Sequence, residues 1–286
     1  AKAMYHVTSR GNGRQEVFLC DDDHKRFLEQ LDAALEKDEV VLYAYVLMPN
    51  HYHLLIQTPL GNLKRFMQRL NTAYGMYFRY KHSKPGHCFQ GRYGAKLVGG
   101  DEYIIRLTRY IHLNPVKTEK MKGQSGAEKM RALERWRWSS YAGYVNGARA
   151  EARVNYRWLK LMHRATEKGR REAYKEYVAG MLGRDDEGFQ AALAVSRYAV
   201  GDERFIKASE SDLREMKVVR FIDGDVVRPK ERVSELGVID IAVAEKFGVK
   251  VEDLHYDGHR AGLAKAVAIE LSCRLKGKSQ REVEGY

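Results

Sequence analysis

Apolar and polar positions alternate over residues 4–10, MYHVTSR, which is the period of a strand, and a glycine-rich turn, GNGRQ, follows. After Asp21 the period changes. Phe27, Leu28, Leu31 and Leu35 fall at helical spacing within HKRFLEQLDAALEKDE, and Asp21-Asp22-Asp23 offers an N-cap. Two nearly continuous apolar runs, VVLYAYVLM and HYHLLIQT, are separated only by Pro49-Asn50 and predict a hairpin. Asn62 stands as the cap of a second amphipathic helix, LKRFMQRLNTAYGMYFRYKH. CFQGRYGAKLV reads as a fourth strand carrying basic residues, and Asp101 caps a third helix, DEYIIRLTRYIHL, which ends at Asn114-Pro115.

Strand, helix, strand, strand, helix, strand is the order of a ferredoxin-like split βαβ fold. The class is α+β: an antiparallel sheet with helices on one face, the helix ending at Asn114 being extra. This block closes near WRWSSYAGYV, residues 136–145, and predicts a first domain over 1–148. A charged helical connector is expected over 149–218. MKVVRFIDGDVVRPKERV reads as a linker, and 219–286 as a small all-α domain. The 286 residues are 44% hydrophobic and 31% charged, which excludes a disordered chain. No apolar run reaches membrane-span length, and no signal peptide opens the sequence. The start, AKAMYHV, enters strand-like sequence at once, as though native residues were missing there. Cys20, Cys88 and Cys273 form no CxxC and no disulfide framework, which fits a reducing cytoplasm. The net charge of +12 favours a polyanionic partner, although a basic soluble protein would share it.

Candidate chemistry begins in MPNHYHLLIQT, residues 48–58. In a strand His51 and His53 point to one face and Tyr52 to the other, so two imidazoles stand side by side, the start of a divalent metal site. A bare pair of this spacing is also what two surface histidines look like, and a third ligand must come from elsewhere. RLTRYIHLNPVK, residues 106–117, supplies candidates. Tyr110 and Asn114 are i and i+4 on one helix face. Asn114 offers a hard carbonyl oxygen compatible with Mg²⁺ or Mn²⁺, and Tyr110 a phenolic nucleophile. Pro115 disfavours the α conformation at Asn114, so the helix should stop there with Asn114 at an exposed end. The bland alternative is a tyrosine packed on the sheet and an ordinary helix stop. His112 lies about 200° round the helix from Tyr110 and is not recruited.

MPNHYHLLIQT, then QGRYGAKL, then RYIHLNPVK, opened by YHVTSRGNGRQ and closed by WSSYAGY, resembles the REP-associated tyrosine transposases, single-tyrosine members of the HUH nuclease superfamily. The resemblance covers roughly residues 4–145, with Tyr52 as a departure from a purely aliphatic middle residue. It implies the HUH nuclease fold. It also implies that His51 and His53 bind a metal (Mg²⁺ or Mn²⁺), that Asn114 is the third ligand and that Tyr110 is the nucleophile. The implied activity is cleavage of single-stranded DNA beside a hairpin or palindromic repeat through a 5′-phosphotyrosine, followed by strand transfer. No ATP-binding loop is needed, because phosphotyrosine conserves the phosphodiester energy. The implied partner is DNA and not a membrane, the setting cytoplasmic and nucleoid-associated, and the state a monomer or a homodimer.

Backbone cations for such DNA are expected at Arg10, Arg14, Arg79, Lys81, Arg92 and Lys96, with Tyr77, Phe78 and Tyr80 as stacking surfaces. Residues 239–283 resemble the helical DNA-binding domain of the bacterial replication initiator DnaA, with Arg260 and Lys265 as DNA contacts; the sequence stops at Tyr286, where a recognition helix should begin. Three rival readings remain: a domesticated nuclease of repeated palindromes, a non-catalytic hairpin-binding regulator, favoured if Tyr110 faces the core, and a small-molecule metalloenzyme, against which the charge argues.

Overall fold

The alternation at the N-terminus becomes β1 (Ala3–Arg10), and the two apolar runs become β2 (Val41–Met48) and β3 (His51–Thr58). These belong to a computed structural model, which describes residues 3–184, 186–222, 243–246 and 248. With β4 (Gly94–Val98) and the short β5 (Ala199–Val200) they form one sheet in the order β2-β3-β1-β4-β5. The first four strands are antiparallel to their neighbours, and β5 joins β4 in parallel. That is the split βαβ order expected, with one added edge strand. The predicted fourth strand is shorter than CFQGRYGAKLV: its second half forms β4, and the first half makes a single bridge, from Phe89 to Gly11.

Each side of the sheet buries its own core. Val7, Tyr52, Leu54 and Ile56 pack under α1 (Asp21–Asp38) and α2 (Leu63–His82), against Phe27, Leu31, Phe66, Leu70 and Tyr74. The opposite side holds Met4, Val46, Met48 and Leu55 under α3 (Asp101–Leu113), through Ile104, Leu107 and Ile111. The split-βαβ helices thus share one face, and the extra helix covers the other. One residue of shift in β1 or β3 would exchange the two sets, so burial on both sides fixes the register.

Three caps differ from expectation, and the simplest case is α3, which begins at Asp101 itself with Gly100 as its N-cap and no side-chain cap. The N-cap of α1 is Cys20, because Asp23 reaches back to the backbone N–H groups of Leu19 (2.8 Å) and Cys20 (3.2 Å). Asn62 sits at the N-cap of α2, but its amide donates to the Asp38 carbonyl instead (2.7 Å).

Packing divides the chain into Ala1–Ser211 and Asp212–Tyr286, a division later than the expected boundary at 148. The physical reason is that residues beyond 148 complete both cores. After α4 (Gly126–Arg135) and α5 (Tyr141–Val145), Val154 bridges to Leu42 on the β2 edge. Tyr174 of α6 (Glu167–Ala179) is fully buried in the first core. Phe189 of α7 (Glu187–Val195) is buried in the second, and β5 extends the sheet. In the second unit, α8 (Glu203–Ile222) ends and residues 243–246 are helical. The DnaA-like reading of 219–286, with Arg260 and Lys265, lies outside the described residues apart from these pieces. Among the described residues no helix is long and apolar enough to cross a membrane.

Candidate active site

His51 opens β3 opposite Arg10 of β1, and His53 lies opposite Thr8. Both imidazoles face α3. Tyr52, between them, is buried on the other side against Phe27 and Phe89. The two imidazole rings stand 5.1 Å apart and nearly perpendicular. Across from them, the Tyr110 ring lies 5.8 Å from His53, edge to face. Thr8, Ser9, Arg10, Gln90, Arg92, Gly94 and Asn114 complete the walls of a cleft of about 370 Å³. Gly94 is needed there: a Cβ on it would stand 2.7 Å from the Thr8 hydroxyl. In a larger hollow of about 880 Å³, beside the C-terminal end of α1, Arg153 pairs with Asp32 (2.9 Å) and Glu151 (3.0 Å).

The turn before β3 sets the state of His51. The Asn50 amide nitrogen donates to the Arg14 carbonyl (3.3 Å), so its Oδ1 faces His51 Nδ1 at 2.7 Å and fixes the proton there. Nε2 keeps the lone pair. Burial, aided by the nearby Arg10 guanidinium, pushes the His51 pKa down to about 4 against the opposing pull of Asn114. Burial drives His53 well below the ordinary histidine value too, reinforced by His6, His51 and Arg10. Both imidazoles are neutral at pH 7, the form that ligates metals.

Asn114 owes its orientation to Pro115. The helix stops where expected, yet Asn114 keeps α-helical angles (φ −51°, ψ −42°) and is half-buried rather than exposed. Its own N–H bonds the Ile111 carbonyl, which leaves the Tyr110 carbonyl open, and proline has no N–H to offer Ile111. The Asn114 side chain fills the gap: Nδ2 donates to Tyr110 O (2.8 Å) and Ile111 O (3.3 Å). Its Oδ1 is thereby turned to His51. A hydrogen bond between them needs a second proton on His51, and its low pKa denies that at neutral pH. Two lone pairs then face each other, an arrangement that a cation relieves. Among the described residues no cluster of three His, Cys, Asp or Glu side chains is arranged to hold a metal. The donors here are two imidazoles and an amide oxygen, and their chemistry fits a divalent ion.

Tyr110 lines the cleft, half-buried, and does not point into the core. Burial raises its pKa while Arg10 works in the opposite direction. Phe189 of α7 packs 5.9 Å from its ring. Asp186, the N-cap of α7, binds Arg106 (2.8 Å) and Arg109 (2.5 Å), so α7 is clamped to the helix that carries the tyrosine.

Residues 1–114 match the family model described as Transposase IS200 like. The matched segment ends at Asn114 and contains His51, His53 and Tyr110. Two solved structures are similar to part of this chain. One, a REP-associated tyrosine transposase bound to a REP hairpin, is 17% identical over 52% of this chain and 80% of its own, with a TM-score of 0.40. The other, a Deinococcus radiodurans R1 protein provisionally described as a transposase, is 23% identical over 39% of this chain and 89% of its own, with a TM-score of 0.32. The chain matches no curated protein.

Within the transposase-like segment the expected cations separate. Arg10 and Arg92 line the cleft, and Arg14 lies on the turn after β1, its carbonyl accepting from the Asn50 amide of the hairpin turn. Arg79 and Lys81 lie on α2 outside the cleft lining, Lys81 being paired with Asp23 (3.1 Å). Lys96 is used differently. Its ammonium donates to the carbonyls of Leu193 and Ser196 (2.7 Å to the latter) and caps the C-terminal end of α7. Of the expected stacking aromatics, Phe78 is core, Tyr77 is half-buried with its hydroxyl on Asp23, and Tyr80 is 92% exposed. Sequence reasoning missed Gln90 and His6. His6 lies on the same face of β1 as Thr8 and Arg10, a position that its alternation signals once β1 is known to pair with β3.

Proposed function

We propose that the chain is a metal-dependent endonuclease and strand-transferase for single-stranded DNA beside a hairpin or palindromic repeat, with Tyr110 as nucleophile. The observation that carries this reading is the convergence of His51, His53, Asn114 and Tyr110 on one cleft rimmed by Arg10 and Arg92. The guanidiniums seat the DNA phosphates, and Arg92 stands outside the set of donors and so binds without interfering. The Tyr110 oxygen attacks the scissile phosphorus, its proton departs, and the bond to the 3′-oxygen breaks. That oxygen takes up a proton and leaves as a free 3′-hydroxyl, with the 5′-phosphate on Tyr110. Arg10 offsets the charge that develops on the tyrosine oxygen as its proton leaves. When bound by His51, His53 and Asn114, Mg²⁺ or Mn²⁺ supplies Lewis-acid polarisation of the phosphate. Attack on the phosphotyrosine by a 3′-hydroxyl reverses these bond changes and joins strands without ATP. Arg260 and Lys265 are assigned to further phosphate contacts in the same reading, and the setting to the cytoplasm.

The test is incubation with a 5′- or 3′-labelled single-stranded hairpin oligonucleotide and Mn²⁺. A covalent protein–DNA adduct that retains the 3′ segment of the cut strand is expected. Retention of the 5′ segment, or cleavage without an adduct, would defeat the proposal.

A further inference from the structure

His6 Nε2 lies 2.9 Å from His53 Nδ1, with the two rings within 14° of parallel, so a single in-plane hydrogen bond joins them. The pairing follows from the sheet: His6 opposes Leu55 of β3 and Lys96 of β4, which places it diagonal to His53 on the cleft side. Both rings are buried. Two neutral imidazoles therefore share one proton between these nitrogens, and two arrangements exist. If His6 holds it, His53 must carry its other proton on Nε2, where an N–H faces the cleft. If His53 holds it on Nδ1, its Nε2 is a lone pair. The cleft already contains donors in the guanidiniums of Arg10 and Arg92 and the hydroxyl of Tyr110. It also contains acceptors, Asn114 Oδ1 and the hydroxyls of Thr8 and Tyr110 among them, so it is the ion of the proposed function that selects the lone pair.

We propose that His6 is a positioning residue: by accepting the Nδ1 proton of His53 it keeps the Nε2 lone pair of His53 turned into the cleft. The choice of tautomer, and the use of that lone pair for a metal, rest on the function proposed above. His6 is not a donor to the ion, because its Nε2 is engaged by His53. It does for His53 what Asn50 does for His51, and each imidazole is thus fixed through the nitrogen away from the cleft.

The full chain, metal-free and ¹⁵N-labelled at histidine, tests this directly. His53 is expected to show a protonated Nδ1 and an unprotonated Nε2, assigned by comparison with His53→Gln. A protonated Nε2 overturns the proposal. In a second measurement Mn²⁺ binding is followed by the loss of the free-ion paramagnetic resonance signal. His6→Phe is expected to weaken binding about 10- to 100-fold. His6→Gln, whose amide oxygen accepts the same proton, is expected to recover most of the loss. A His6→Phe protein with unchanged melting temperature and wild-type Mn²⁺ affinity overturns the proposal. If the wild-type chain itself binds no Mn²⁺, the metal reading falls, and the nitrogen signals alone still uphold or overturn the role of His6.

Discussion

Two polar clusters lie on opposite sides of α3. On one side Tyr110 and Asn114 meet His51 and His53 across an open cleft. On the other, His112 is fully buried, its Nδ1 2.7 Å from the Tyr174 hydroxyl and its Nε2 2.8 Å from the Ser140 hydroxyl. Tyr174 donates onward to Thr108 (3.1 Å), and Ser140 accepts from the Tyr45 backbone N–H (2.9 Å). The residue types are nearly the same: histidine, tyrosine and a small polar side chain. What differs is saturation. Both nitrogens of His112 have partners and no solvent reaches them, so the cluster is a fastener. His51 has one nitrogen satisfied and the other open, so the cluster can take a ligand. Perturbed titration marks both clusters and does not tell them apart; the unspent lone pair does.

Exchanging matched substitutions between the two sides is the sharpest way to break this contrast. Tyr110→Phe is expected to reduce adduct formation to background with hairpin affinity held within about twofold, since one oxygen is lost. Tyr174→Phe is expected to leave the adduct and cost about 1–3 kcal/mol in denaturant unfolding, because a buried hydrogen-bond network loses its hub. Equal loss of adduct in both variants would erase the distinction. Next in size, His51→Ala is expected to abolish Mn²⁺-dependent cleavage with little change in melting temperature. His112→Ala is expected to lower stability by about 2–4 kcal/mol, from the cavity and the stranded hydroxyls.

Acidification gives a smaller, signed effect. Burial holds the His112 pKa at about 3, below the ordinary value near 6.5. Between those values the unfolded chain binds the extra proton and the folded chain does not, so stability falls as pH drops from about 6.5 towards 3. Melting curves of the metal-free protein at pH 7 and pH 4.5 should show this loss, and His112→Gln should show less of it; equal slopes would remove His112 from the account. Smallest is the cleft rim: Arg92→Gln should weaken binding of any single strand modestly and lower the salt slope by about 1, read by titration at two salt concentrations.

Much of the fold was legible because burial on both faces turns β2 and β3 into nearly continuous apolar runs, because Pro49-Asn50 leaves room for only one turn, and because the strand and helix periods fix which residues share a face. The paired histidines and the i, i+4 relation of Tyr110 and Asn114 were legible for the same reason. The roles of particular cations were not. Lys96 reads as a basic strand residue like Arg92, and only the arrival of α7 from nearly 100 residues downstream determines that it caps a helix. His6 was invisible as a partner of His53 because their contact is diagonal and spans 47 residues. Phe78 and Tyr80 are two residues apart, and helix rotation alone sends one inward and one to solvent.

The clamp from Asp186 to Arg106 and Arg109, with Phe189 beside Tyr110, has a consequence for the order of biosynthesis. Every donor in the cleft has been translated by Asn114, but the carboxylate and the ring that steady the tyrosine helix emerge more than 70 residues later. A nascent chain therefore carries the reactive groups on the ribosome well before the parts that brace them. On the function proposed above, competence to cut is expected to appear late, with the release of α7, because a product ending near residue 148 would hold the candidate groups and lack the residues that complete both cores.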